Sequence, residues 1–243
     1  MQIKRFKKTL IAKPFSRQKL QTLVAILAIE LGKECSRAEI TKELWPNSSV
    51  EIAKRNLYSI WHFLKKSLSL PDGSCPYIMK FQHGFKFDES FVRSDYHIIK
   101  ELCDDMNIQN PDIQLASNNL KQIQDIYKGK LLPNENCCRK IVNYRDYIHN
   151  KLISTMVAYT TKLLDDYFPT LALEYANHAL HLEKDREDVY LALMMAQIAC
   201  NQKSLAIRTY KTCRKYLIDE IGIDPSPEIV STYKGLLKHE ENF

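Results

Sequence analysis

The fold is decided by residues 44–68, which read LWPNSSVEIAKRNLYSIWHFLKKSL. Pro46 stops one helix, and Ser48 with Glu51 forms a capping box, in which each side chain satisfies a free backbone N–H at the start of the next helix. Apolar residues then recur every three or four positions and predict one buried helix face. They are Val50, Ala53, Leu57, Ile60, Trp61, Leu64 and Leu68.

The opposite side of this helix is polar. Four residues at intervals of four, three and four line one stripe there. They are Arg55, Ser59, His62 and Lys66, with Lys54, Tyr58 and Lys65 beside them. The pattern is typical of a DNA-recognition helix, and an ordinary solvated surface helix would also show it.

Two helices precede this stretch. Helical spacing of leucines and valine over residues 15–31 predicts a largely buried helix that Gly32 ends. A second capping box, formed by Ser36 and Glu39, starts a short helix that reaches Leu44.

A β-hairpin follows the long helix. Residues 77–81 and 85–87 have the pattern of short strands and flank a turn that contains Gly84. Three helices and a hairpin make a winged helix, in which the third helix enters the major groove and the hairpin reaches the neighbouring DNA backbone.

The rest of the chain is predicted to be helical. Amphipathic helices at 96–106 and 113–127 are separated by Asn110-Pro111, and a longer helix runs from about 138 to 167. Leu171-Ala172-Leu173 recurs 34 residues later as Leu205-Ala206-Ile207, with small residues at the same place. A period of 34 is the tetratricopeptide spacing. The predicted fold class is therefore mainly α: a winged helix-turn-helix with a small β-hairpin, then an all-α tetratricopeptide-like domain.

Length and charge support two domains, placed at residues 1–93 and 94–243. Residues 1–95 hold 17 Lys and Arg against 9 Asp and Glu, whereas the remaining residues hold 18 against 20. Positive charge concentrated in one half indicates that this half meets a polyanion. There is no run of about 18 uncharged apolar residues, so we expect a cytoplasmic protein without a membrane span.

Enzyme chemistry is not indicated. The sequence lacks the phosphate-loop, dinucleotide, zinc-protease and serine-hydrolase motifs. His178 and His181, with Glu174 one turn earlier, offer at most an incomplete metal site. The seven cysteines form no C-x-x-C pair, and the adjacent Cys137 and Cys138 are either redox-active or ordinary thiols. We expect no cofactor, no metal and no catalytic residue.

Three segments resemble the SARP family of bacterial transcriptional activators, in which an OmpR-type winged helix is joined to a bacterial transcriptional activator domain. Residues 44–68, with Arg-Asn-Leu at 55–57, resemble the family's Leu-Trp-Pro turn and recognition helix. HGFKF at 83–87 resembles its wing. ALEYANHALHLEKDREDVYLALM at 172–194 and IDEIGIDPSPEIVSTYKGLL at 218–237 resemble its repeat and its closing motif.

The chain departs from the family in two places. Members open with a β-sheet of several strands, whereas the segment before residue 15 has room for one or two. Either the sheet is reduced, or the chain is the C-terminal piece of a larger regulator. Ser59 and His62 also stand where Arg is common.

The predicted DNA contacts divide into base and phosphate contacts. Arg55 is the candidate for a bidentate bond to guanine, and Asn56 and Ser59 are able to touch base edges or phosphates. His62 and Lys66 share the groove-facing stripe. The remaining predicted contacts are to phosphates, from Lys54, Lys65, Lys80, Lys86 and Arg17.

The resemblance implies double-stranded DNA, RNA polymerase and a second copy of the chain on tandem repeats as partners. The rival interpretation is a protein-interaction scaffold whose winged helix no longer binds DNA. Whether the stripe shares a surface with Lys80 and Lys86 discriminates between them.

Overall fold

A computed structural model of the chain describes residues 3–5, 8–11, 18–108, 112–132 and 138–238. The chain forms two compact units. The first contains Met1–Ile98 and Lys130–Ile148, and the second contains Ile99–Gly129 and His149–Phe243.

Two short strands open the first unit. β1 (Ile3–Arg5) and β2 (Lys8–Ile11) pair in antiparallel fashion. Two strands ahead of the first helix agree with the expectation of one or two.

The first helix forms the centre of the first core. α1 spans Gln18–Ile29, and Gly32 follows it with a φ of 78°, a conformation that glycine adopts without strain. Its leucines and valine are buried as the periodicity predicts, namely Leu20, Leu23, Val24 and Leu27. Residues 15–17, which the prediction included in this helix, lie outside the described residues.

The next two helices begin at serine caps. α2 (Arg37–Leu44) starts after Ser36, whose hydroxyl accepts a hydrogen bond from the Glu39 N–H at 3.1 Å, as predicted. α3 (Val50–Leu68) starts after Ser49, which accepts from the Ile52 N–H. The predicted cap at Ser48 is wrong, because its own N–H closes a turn onto the Trp45 carbonyl.

The wing is a three-stranded sheet. The hairpin strands β4 (Ile78–Lys80) and β5 (Gly84–Phe87) occur as predicted, and β3 (Cys35–Ser36) pairs with the other side of β5. The strand order is β3-β5-β4. The sequence analysis missed β3, since two residues are too few to show an alternating pattern.

Helices make up the described part of the second unit. Their bounds are α4 Asp95–Ile108, α5 Ile113–Ile126, α6 Arg139–Asp165, α7 Pro169–Leu182, α8 Glu187–Ala199, α9 Lys203–Tyr216 and α10 Pro227–Lys238. Helices α4 and α6 each begin in the first unit. The Asn110-Pro111 separator lies outside the described residues.

The predicted repeat is confirmed. α7 and α9 start 34 residues apart and have the same length, and α8 packs against both. Ala172 and Ala206, at equivalent places, are completely buried, because only a small side chain lets the paired helices approach so closely. The second copy is extended by a π-helical turn, Leu217–Ile221, before α10 begins.

The closing motif attaches α10 to α8. Ser226 donates from its N–H and its hydroxyl to one carboxylate oxygen of Glu187, at 2.8 and 2.6 Å. Pro227 then occupies the first position of α10, where a missing N–H costs nothing. Tyr210 and Tyr233 stack between α9 and α10, with ring centroids 4.0 Å apart. The motif therefore closes the repeat.

Candidate nucleic-acid interface

Helix α3 is anchored through one face. Trp61 stacks on Phe85 of β5, with ring centroids 3.9 Å apart and an angle of 21° between the rings. The buried residues of this face are Ala53, Leu57, Trp61, Leu64 and Leu68. Two predicted members differ: Val50 is 60% exposed because it lies in the first turn, and Ile60 is half-buried. The anchoring holds α3 in place against the wing.

The opposite face of α3 is open to solvent. At about 100° per residue, the predicted stripe points directly away from the buried face. Its members Arg55, Ser59, His62 and Lys66 are all exposed. Within the described part of the chain, their side chains make no hydrogen bond or ion pair. α3 thus presents four polar side chains that are available to bind a ligand.

The two flanks of the stripe differ. Lys54 and Lys65 lie on one side of it together with Tyr58, and all three are exposed. Asn56 lies on the other side and is half-buried, near Ile52, which is 44% exposed. One flank is therefore basic and the other is largely apolar.

The wing brings Lys80 to the basic flank. Lys80 is exposed, and its Nζ lies 5.6 Å from the centre of the Tyr58 ring. In the β4–β5 register Lys80 stands opposite Phe85, the residue that stacks on Trp61, so both point toward α3. Lys80 and the α3 stripe therefore belong to one side of the unit.

Lys86 lies on the other face of the sheet. The same register places it opposite Met79, and side chains alternate between faces along a strand. Its Nζ pairs with the Glu89 carboxylate at 3.4 Å and lies 3.5 Å from the Gly32 carbonyl oxygen. The two wing lysines that the sequence analysis grouped together do not share a surface, so the criterion set against the scaffold interpretation is met by Lys80 and not by Lys86.

One predicted phosphate contact, Arg17, precedes α1. Arg17 lies outside the described residues. Lys19 donates from Nζ to the Leu44 carbonyl at 2.5 Å and so satisfies the C-terminal end of α2.

Sequence analysis missed Arg37, which connects three elements. From the first position of α2 its Nη1 donates to the Tyr58 hydroxyl oxygen at 2.8 Å, and its Nη2 donates to the Phe81 carbonyl at 2.7 Å. Its guanidinium also lies 5.5 Å from the centre of the Phe85 ring. These partners are 21 to 48 residues away, and no local pattern encodes such contacts.

Three histidines of the second unit contact other side chains of that unit. His149 is buried between the Tyr127 hydroxyl, 2.7 Å from Nδ1, and the Glu183 carboxylate, 3.0 Å from Nε2. The rings of His178 and His181 lie 6.2 Å apart. Among the described residues, no group of three His, Cys, Asp or Glu is placed to hold a metal ion. Cys137 lies outside the described residues, and Cys138 is half-buried just before α6.

Together these features define a winged helix with an exposed basic helix, joined to a unit built of helical repeats. Residues 96–237 match the profile of the bacterial transcriptional activator domain. The match spans more than half of the chain, and the chain belongs to this family. The resemblance to SARP-type activators is thereby confirmed.

The structure is similar to that of EmbR from Mycobacterium tuberculosis in complex with a low-affinity phosphopeptide. The TM-score is 0.73 at 16% sequence identity, and the similarity covers 98% of this chain and 63% of the EmbR chain. This chain thus spans less than two thirds of that protein's length. The shared fold confirms the predicted fold class. Comparison with curated proteins gives no match. No helix in the described ranges is long and apolar enough to cross a membrane.

Proposed function

We propose that the chain binds double-stranded DNA through α3 and the wing and acts as a transcriptional activator. The observation that carries this proposal is the exposed stripe on a helix whose other face is fixed in the core. α3 has four basic residues and one acidic residue, and Lys80 adds a positive charge on the same side. Phosphate neutralisation by such residues supplies most of the sequence-independent affinity for DNA.

The contacts divide by their position on α3. Arg55, at the N-terminal end of the stripe, is assigned to guanine, because its guanidinium bonds both acceptors of that base in the major groove. Ser59, His62 and Lys66 line the same groove-facing surface. Lys54, Lys65 and Lys80, on the flank, are assigned to phosphates, which position the protein without reading sequence. The contacts predicted for Asn56, Lys86 and Arg17 stay predictions.

The second part of the proposal concerns the helical unit. Residues 1–93 would bind DNA in the cytoplasm, and residues 94–243 would contact RNA polymerase and a second copy of the chain on a neighbouring repeat. A stacked helical repeat offers the extended surface that protein partners use. Footprinting tests this part of the proposal: purified RNA polymerase should protect a longer stretch of promoter DNA when the chain is present. An unchanged footprint would contradict recruitment.

A salt titration tests the DNA proposal. Binding to random duplex DNA is measured for the wild type, Arg55→Ala, Lys66→Ala and the control Lys121→Ala, which removes an exposed charge from α5. We expect the first two variants to bind markedly more weakly. Removing one phosphate-binding side chain lowers the salt slope by about 0.9, so Lys66→Ala lowers it only if Lys66 reaches a phosphate.

Two results would contradict the proposal. One is an absence of binding by the wild type near physiological salt. The other is equal binding by all three variants. Either would favour the scaffold, in which the winged helix docks onto protein.

A further inference from the structure

Arg37, Tyr58 and Lys80 form a cluster where the wing meets α3. Arg37 is held from two sides, because one terminal nitrogen donates to Tyr58 and the other to the backbone of Phe81 in the wing turn. Its own N–H also donates to the His83 carbonyl at 2.9 Å, which ties α2 to the same turn. Arg37 therefore has little freedom to move.

This arrangement fixes the Tyr58 side chain on the surface. Tyr58 is 41% exposed although two cationic groups lie near its ring. Lys80 Nζ and the Arg37 guanidinium are each 5.6 Å from the ring centre. A hydroxyl has one proton and two acceptor lone pairs. Because the oxygen accepts from Arg37, the hydroxyl proton points away from the arginine and is able to bond an acceptor from solvent.

The surroundings of this hydroxyl select a negatively charged acceptor. Arg37 and Lys80 lie against Tyr58, and Lys54 and Lys65 occupy the same flank of α3. This basic flank lies beside the stripe. If the stripe enters the major groove, the flank therefore faces the edge of that groove. Phosphates line the edges of the groove, whereas base edges lie at its floor.

We propose that Tyr58 and Lys80 bind one DNA backbone phosphate, and that Arg37 is the residue that positions Tyr58 for this bond. The inference rests on the proposed DNA binding and adds two residues to it. Tyr58 contributes a neutral donor, Lys80 contributes a charge, and Arg37 contributes orientation without touching DNA.

The test compares binding of Tyr58→Phe, Lys80→Ala, Arg37→Lys and Tyr58→Phe/Arg37→Lys to random duplex DNA over a range of salt concentrations. Tyr147→Phe is the matched control, since Tyr147 is a half-exposed tyrosine of the first unit. The midpoint of thermal unfolding, followed by tryptophan fluorescence, is measured for every variant to show that the first unit stays folded.

We expect Tyr58→Phe to weaken binding roughly 10-fold, since it removes one hydrogen bond to a charged group. Its salt slope should equal that of the wild type, because no charge is removed. Lys80→Ala should lower the slope by about 0.9. Arg37→Lys keeps the charge but changes the geometry, so it should weaken binding alone and add little to Tyr58→Phe.

The outcomes separate this inference from the proposed function. If the wild type binds, Arg55→Ala weakens it and Tyr58→Phe equals Tyr147→Phe, the phosphate site is wrong and DNA binding stands. If Arg37→Lys keeps its full effect in the Tyr58→Phe background, Arg37 acts independently of Tyr58 and the positioning role is wrong. If the wild type does not bind DNA, the proposed function and this inference both fail.

Discussion

Gly84→Ala is a direct test of how the wing is attached. A Cβ atom at Gly84 would lie 2.4 Å from the carbonyl oxygen of Cys35 and 2.7 Å from Cγ of Glu34, and Cβ atoms essentially never come closer than 3.0 Å to such neighbours. β5 would have to move away from β3 by at least about 0.6 Å. The nearest obstacle is backbone, which cannot rotate out of the way as a side chain does.

The expected loss of stability follows from this displacement. Overpacking in a well-packed site costs about 1–3 kcal/mol. Moving β5 also breaks the pairing of Gly84 with Ser36 and shifts the Phe85 ring that stacks on Trp61. We therefore expect a loss near the upper end of that range, about 2–3 kcal/mol. At roughly 4–8 °C per kcal/mol for a small domain, the unfolding midpoint of the first unit should fall by about 10 °C or more.

Tryptophan fluorescence is a suitable assay, because both tryptophans of the chain, Trp45 and Trp61, lie in the first unit. The matched control is Gly235→Ala on α10, where an added Cβ meets nothing within 4 Å. Because α10 lies in the second unit, the control should leave the fluorescence midpoint unchanged, while its helix should gain up to about 1 kcal/mol of stability in circular dichroism. A fluorescence midpoint of Gly84→Ala equal to that of the wild type would refute the described pairing of β3 with β5.

Three further predictions concern groups that are partly or fully buried. Glu187→Gln should destabilise the second unit by about 1–2 kcal/mol in circular dichroism, because the carboxylate accepts two bonds from Ser226, and an unchanged transition would contradict this. Burial, then His181 and Lys128, lower the pKa of His178 below its usual 6.5, so the unfolded chain binds that proton more readily and stability falls as the pH drops below 6.5. His178→Gln should lose less stability than the wild type in urea unfolding between about pH 7.5 and pH 5, and equal losses would count against the assignment. Burial raises the pKa of three thiols to about 11 or 12, so peptide mass spectrometry should find them unalkylated by iodoacetamide in the native state, and alkylation as fast as in urea would contradict this. They are Cys35, Cys103 and Cys213.

Periodicity and capping chemistry predicted the helices, since both are local properties. The spacing of apolar residues in α3 identified the buried face and hence the exposed stripe opposite. The cap of α3 was misplaced by one residue, because Ser48 and Ser49 are chemically alike. Ser48 is committed to the turn onto Trp45, which the capping pattern does not encode.

The sequence alone did not predict how the strands of the wing pair. Lys80 and Lys86 both occur in the wing strands, but the β4–β5 register decides that one points toward α3 and the other away. Register depends on the whole set of contacts between strands, including the unpredicted β3. For the same reason Arg37 gave no sign of its role, since its partners come from α3 and the wing turn.

The bond between Ser226 and Glu187 has a consequence for how such chains are recognised. The Gly-Ile-Asp-Pro-Ser-Pro-Glu segment at 222–228 resembles the family's closing motif, and its serine is turned inward to hold the last helix. The segment reflects how the last helix is attached to the repeat. This attachment does not depend on which partner the outer surface contacts. Two proteins can therefore share this signature completely and still respond to unrelated partners, so differences in regulation should be sought on the exposed faces of the helices that it fastens.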